Sequence, residues 1–438
     1  MTSKIKKRIK KIIPHKLWNY LKLVIPLERL HQIKRERLIS AWGAEISKYL
    51  RYENASHQKS GLNLIGDFTA GNGLGEAARN SLRALQTTKV PFTLLSYKSM
   101  VPAHQSFAFQ FGSFDTNFSY RINLFHVNPL EFPDLWHKFS HRDLTNHYSI
   151  GSWYWELPEF PDKWASTFNL VDEIWVASDF VKQSIQKKTI KPVIKIPPSI
   201  QVAVDSTITR ESLGLRDEQF LFLCAFDTLS MLERKNPLAV IEAFMKAFSP
   251  DEQSIGLVIK INNAVEDEEK VAELKRTVID YSNCYFIEEV FSRNKFNSLI
   301  NLVDVYVSLH RSEGFGLIPA EAMYLGKPVI MTNWSGNTEF MTNDNCCPVH
   351  YRLIPLSTNY GDYESGQVWA EPDVDHAALY MVKLSSDRSY YNNISSNAKI
   401  FIRNNYSPEV IGCLIQKRLL EIDQLLDKEP VELNKEIR

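Results

Sequence analysis

A chain of 438 residues is too long for one ordinary core and predicts two domains of roughly 150 to 200 residues each. Hydrophobic residues at 44% and charged residues at 23%, with no low-complexity tract, exclude a disordered or fibrous chain. Lys plus Arg and Asp plus Glu are equal at 51 each, so general polyanion binding is unsupported and nucleic acid is not an expected partner.

The balance hides an asymmetry. Residues 1–60 hold fifteen Lys/Arg against four Asp/Glu, which leaves the remainder acidic by eleven. We read residues 1–58 as a basic helical extension broken at Pro14 and Pro26, with Ile5, Ile9, Ile12, Ile13, Leu17, Trp18 and Leu21 roughly on one side. That pattern suits an anionic membrane surface contacted through residues 1–45; a solvated basic arm or a helix packed on the body is the alternative. The segment is too interrupted for a transmembrane span and has no small-residue cleavage site. Five cysteines without a CxxC or framework spacing fit a cytoplasmic setting, peripheral to the inner membrane face if the basic segment binds lipid.

Apolar runs then alternate with helical patterns, which predicts parallel βαβ construction. Expected strands of the first half are 61–68, 90–97, 122–129, 147–155, 172–178 and 193–199, with "LGEAARNSLRALQ" among the helices between them. The polar stretch at about 200–218 breaks the rhythm, and the second half restarts with strands at 220–227, 256–262, 284–289, 304–310 and 328–333. The expected fold class is α/β, with two Rossmann-like domains at 59–205 and 206–405 facing a cleft beyond the carboxyl ends of their strands. Residues 406–438 read as a helix capped by Ser407 with Pro408 at its first position, crossing back to the first domain, then a tail.

The stretch "HRSEGFGLIPAEAMYLGKP", residues 310–328, carries the chemistry. Glu313 falls in a strand-to-helix loop and Glu321 early in the helix, with Pro319 near the first turn and Gly326 as its stop. Gly314 and Gly316 let backbone N–H groups approach an anion, and the helix start adds partial positive charge. A phosphate site usually avoids acids, so the two carboxylates call for hydroxyl groups, and a nucleotide-sugar supplies both. In "SMLERKNP", Arg234 and Lys235 offer cations for a departing diphosphate. "GNGLGEAAR" gives a second glycine turn, in which Gly73 and Gly75 either cover the diphosphate or tighten the connection, with Glu76 and Arg79 pointing toward donor or acceptor.

With these segments in order, from "GNGLGEAARNSLRAL" through "GSWYWELPEFPDKW", "DEIWVASDFV", "ERKNPLAVIEAF", "SEGFGLIPAEAM" and "NWSGNTEFM" to "WAEPDVDHAA", the chain resembles the retaining GT-B glycosyltransferases of family four and their E-x7-E motif over residues 60–420. The resemblance implies hexose transfer, of mannose or glucose type, from a nucleotide-diphosphate sugar to a carbohydrate or lipid-linked saccharide acceptor, in cell-surface polysaccharide assembly. It implies that Glu313 contacts the donor sugar, that the backbone of Gly314, Phe315, Gly316 and Leu317 holds its phosphate end, and that Glu321 binds ribose. Neither a cofactor nor a metal is expected; "DVD" at 373–375 reads as a helix cap. The family's arginine before the lysine is missing, since Leu229 stands there, and Arg234 is the candidate substitute. On the acceptor side His126 and Glu156 compete, Trp153, Tyr154 and Trp155 either stack on sugar or fill the core, and His310 either touches the donor or supports the loop. A nucleotide-sugar epimerase, a sugar phosphorylase and a non-catalytic binding scaffold are the rival readings.

Overall fold

The computed structural model describes residues 55, 58–98, 113–139, 144 and 146–428. The basic N-terminal extension, apart from Ala55 and Gln58, and the tail after residue 428 therefore lie outside the described residues. Two parallel six-stranded sheets organise the chain, each with interleaved helices. The first runs β2-β1-β3-β4-β5-β6, from β1 (Lys59–Gly66), β2 (Phe92–Ser96), β3 (Tyr120–His126), β4 (Tyr148–Ser152), β5 (Glu173–Val176) and β6 (Val193–Lys195). The second runs β12-β11-β10-β7-β8-β9, from β7 (Phe220–Asp227), β8 (Ile255–Asn262), β9 (Cys284–Ile287), β10 (Val305–Ser308), β11 (Val329–Thr332) and β12 (Cys347–Val349).

Near-continuous apolar strands such as FLFLCAFD are what a sheet covered on both faces requires. Strand β6 stops well before the expected residue 199, because Pro197 and Pro198 have no N–H for the ladder. Three strands lie beyond the sequence reading: β12, and the antiparallel pair β13 (Tyr351–Pro355) and β14 (Val368–Pro372), in register from Tyr351 opposite Pro372 to Pro355 opposite Val368. β13 is exposed along most of its length, so it carries no buried alternation to betray it.

The helices needed below are α1 (Gly73–Gln86), α2 (Phe132–Lys138), α3 (Asp179–Gln186), α4 (Leu232–Lys235), α5 (Pro237–Ala247), α6 (Glu268–Thr277), α7 (Arg293–Leu302), α8 (Leu317–Tyr324), α9 (Val374–Ser386), α10 (Arg388–Asn405) and α11 (Pro408–Lys428). Asp373 caps α9, accepting the His376 N–H at 3.0 Å, so the DVD triplet is a helix start. After α10 the chain returns to the first sheet. There α11 packs on α1, Arg418 grips the buried Glu173 of β5 with Nε at 3.0 Å and Nη2 at 2.5 Å, and Arg121 of β3 holds Asp423 at 2.6 Å.

Sheet order fixes where a ligand belongs. In the second sheet the chain lays β8 and β9 on one side of β7 and β10 to β12 on the other, which opens a switch point between β7 and β10. The loop after β7 leads to Arg234 and Lys235, and the loop after β10 holds Glu313.

Candidate functional site

The loop from Leu309 to Gly316 is held in place before any side-chain chemistry begins. The Glu313 N–H donates to Ser335 Oγ at 2.8 Å, and the Glu313 carbonyl accepts the Gly336 N–H at 2.8 Å. Ser335 does this from a left-handed backbone, φ 75°, a cost that surrounding structure must offset. Gly316 precedes α8 at φ 95°, a conformation that favours glycine. Gly314 is a close approach: a β-carbon there would stand 3.0 Å from the Trp155 carbonyl oxygen of the first domain.

Glu313 is partly buried, its side chain 14% exposed, against two cations. Lys235 Nζ lies 2.5 Å from Oε1 and Arg234 Nη1 lies 3.2 Å from Oε2. Burial alone would raise this carboxyl, but Lys235 and Arg234 outweigh it and bring it down to about 2. Both cations sit in the four-residue helix α4, whose end is fixed to the loop: Arg234 Nη1 donates to the Ser312 carbonyl at 2.8 Å, and the Arg311 N–H to the Arg234 carbonyl at 2.7 Å. His310 lies beneath, fully buried beside Asn337, and burial lowers it to about 4. Its ring lies against the Asn337 side chain, while Arg234 Nε has no hydrogen-bond partner among the described residues.

The first domain closes directly over this loop. The Ser178 hydroxyl donates to the Gly314 carbonyl at 2.7 Å, and the Ser312 hydroxyl to the Glu156 carbonyl. The Glu156 side chain accepts the Tyr363 hydroxyl at 3.0 Å, and Arg234 faces Tyr363, Glu313 and Glu156 together. Of the two acceptor-side candidates, Glu156 is thus brought to the Glu313 loop. His126 ends β3 beside Gly66, 3% exposed, with neither ring nitrogen hydrogen-bonded among the described residues, and burial takes it to about 3.

Residues 205–401, which hold all of the second sheet and α4 to α9, match the model of the family described as glycosyl transferases group 1. This segment is similar to the group 1 glycosyl transferases. The chain is 29% identical over 203 residues to alpha-1,3/1,6-mannosyltransferase ALG2 of Candida glabrata, covering 38% of this chain and 43% of that protein. The chain therefore spans less than half the length of this relative. Among solved structures, HepE of Anabaena in complex with UDP and glucose superposes with a TM-score of 0.57 at 13% identity, over 83% of this chain and 100% of that one. Sucrose-phosphate synthase from Thermosynechococcus elongatus gives 0.61 at 12% identity, over 84% and 100%. The fold is the two-domain GT-B arrangement that these structures share.

Within the matched segment, Glu321 departs from its expected place. It sits at the fifth position of the eight-residue α8, past the first turn, on a helix otherwise apolar on all sides. It is 3% exposed; burial raises its carboxyl, and Arg293 of α7, bonded to Oε1, opposes that rise. Phe315 offers only its backbone, since its ring packs on Phe340 and Tyr406 at centroid distances of 5.1 and 5.7 Å. Leu317 opens α8.

On the first domain, Gly73 has open space at its Cα, whereas a β-carbon on Gly75 would meet the Ala70 carbonyl at 2.5 Å. Gly75 therefore tightens the turn. Arg79 does not reach into the cleft: it donates to the Phe68 and Ala70 carbonyls at 2.9 Å each and pairs with Glu76 at 2.8 Å. Trp153 and Trp155 are core residues, 0% and 2% exposed, so neither ring offers a sugar platform. Sequence reasoning missed Ser335, Tyr363 and Arg293. Only Ser335 had a signal, standing in "NWSGN" among the segments of the family resemblance; the other two are brought in by packing between distant segments.

Proposed function

We propose that this chain is a retaining glycosyltransferase that moves a hexose, of mannose or glucose type, from a nucleotide-diphosphate sugar to a carbohydrate or lipid-linked saccharide acceptor in cell-surface polysaccharide assembly. One observation carries the reading. Around the loop at the β7–β10 switch point, buried polar atoms stand without partners among the described residues: Arg234 Nε and Glu321 Oε2. Buried polar groups are normally satisfied, and a polyhydroxylated, anionic ligand would satisfy this set.

Glu313 then takes donor-sugar hydroxyls, the Gly314–Leu317 backbone the phosphate end, and Glu321 the ribose. Lys235 and Arg234, both paired with Glu313, stabilise the charge that gathers on the leaving diphosphate. Glu156 faces the acceptor, and its position near Arg234 supports that role over His126. No covalent enzyme nucleophile is needed, since the leaving diphosphate oxygen assists deprotonation of the acceptor hydroxyl. The mannosyltransferase likeness over part of the chain and the UDP and glucose in the HepE structure support a nucleotide-sugar donor.

The test is a thermal-shift screen of GDP- and UDP-sugars, followed by transfer assays with the donor that binds. Glu313→Ala is expected to keep the fold and lose about a hundredfold or more in turnover, the scale of losing one preorganised electrostatic contact. Transfer near the wild-type rate would sink the assignment.

A further inference from the structure

Arg293 opens α7 and lies between the two domains. Its Nη2 bonds Oε1 of Glu321 on α8, and its Nε stands 3.8 Å from Oε2 of Glu76 on α1 of the other domain. Glu76 is in turn saturated, by Arg79 at 2.8 Å and Arg83 at 2.9 Å. The guanidinium is therefore bonded to an acid on one side of the cleft and within ion-pair range of a second acid on the other.

The consequence falls on Glu321. One carboxylate oxygen is committed to Arg293, while the other, Oε2, is buried without a hydrogen bond among the described residues. A buried, unpartnered carboxylate oxygen is expensive to leave as it is, and a ligand hydroxyl is the group it lacks. We propose that Arg293 is a positioning residue of the donor site: it grips one oxygen of Glu321 and so presents the other to a ribose hydroxyl, with Glu76 holding the guanidinium from the opposite domain. The inference rests on the nucleotide-sugar reading above and assigns the hydroxyl-reading geometry to a residue outside the donor loop. The planar guanidinium turns Nη2 to Glu321 and Nε toward Glu76 at once; a lysine at the same place supplies charge without that two-ended geometry.

The test is calorimetry on the full chain with GDP and UDP and with their 2′,3′-dideoxy counterparts. Wild-type protein should prefer the ribonucleotide of the base it binds by about tenfold, the worth of a hydroxyl bonded to a charged acceptor. Arg293→Gln should bring that preference to within about threefold, and Arg293→Lys, which keeps the charge between the two acids, should fall between. A merely structural role would weaken both nucleotides together and leave their ratio unchanged, and that result in either variant would overturn the proposal. A wild type that binds the ribonucleotide and the dideoxynucleotide equally would overturn it as well. Failure of the wild type to bind any nucleotide would instead overturn the donor reading beneath it.

Discussion

Glu313 and Glu321 carry the same carboxyl group on one loop and its helix, yet their ionisation moves in opposite directions. For both, loss of water disfavours the charge; Lys235 and Arg234 overcome it at Glu313, whereas at Glu321 the pull of Arg293 is opposed by Glu76 nearby. His126 shows the same burial with nothing against it, falling from an ordinary 6.5 to about 3. Below pH 6.5 the unfolded chain binds a proton at His126 that the folded chain refuses until about 3, so stability is lost as pH falls through that window. His126→Leu should therefore gain on the wild type as pH drops from 7 to 4.5, by up to about 1.4 kcal/mol per pH unit. Urea denaturation of both proteins across that range checks it, and a gap independent of pH would show that His126 has a proton or a partner. At this scale Glu313, its glycines and the cation pair were legible because their spacing is local. Arg293 was not, because Ser292 and Arg293 at a helix start look like any solvated cap until tertiary structure brings Glu76 and Glu321 to them.

The hairpin of β13 and β14, passed over by sequence patterning as β12 was, ties the donor loop to the first domain. Arg311 pairs with Glu371 at 2.7 Å and accepts the Ala370 N–H on its carbonyl at 2.9 Å. From the connection between the strands, Asp362 reaches Lys163 at 2.8 Å, and the Tyr363 ring lies against Trp155 with centroids 5.3 Å apart. Burial raises the Tyr363 phenol well above its ordinary value, so it remains a donor to Glu156. Tyr363→Phe keeps the ring and deletes only that bond. It should cost about 1–2 kcal/mol of stability and weaken use of the acceptor while leaving nucleotide affinity unchanged. Guanidinium denaturation, with separate titrations of donor and acceptor, would show it, and equal weakening toward both substrates would count against an acceptor-side role for Glu156. The helices and long buried strands were legible because their periodicity is imposed by a core. The hairpin was not, because its outer strand is exposed and its inward residues answer to a partner hundreds of positions away in some cases, as with Tyr363 and Glu156.

Over the whole molecule, the fold class followed from alternating strands and helices, and the position of the site followed from strand order. Among the described residues no helix is long and apolar enough to cross a membrane. The basic, amphipathic pattern of the N-terminal sequence makes a direct prediction about membrane surfaces. Deleting residues 1–45 should release the protein from vesicles rich in phosphatidylglycerol, with wild-type binding weakening as salt rises. Co-sedimentation of both forms measures it, and undiminished binding of the shortened chain would refute the role.

The return of α11 to the first domain has a mechanical consequence. The chain passes between the domains twice, once leaving β6 and once entering α11, and the two passages are bonded to each other where the Ile200 N–H donates to the Tyr406 carbonyl at 2.7 Å. Paired tethers resist twist and sliding but yield to bending, so they behave as the pin of a door. Opening about that pin would part Ser178 from Gly314 and Ser312 from Glu156 in one swing, exposing the donor loop along its whole length at once.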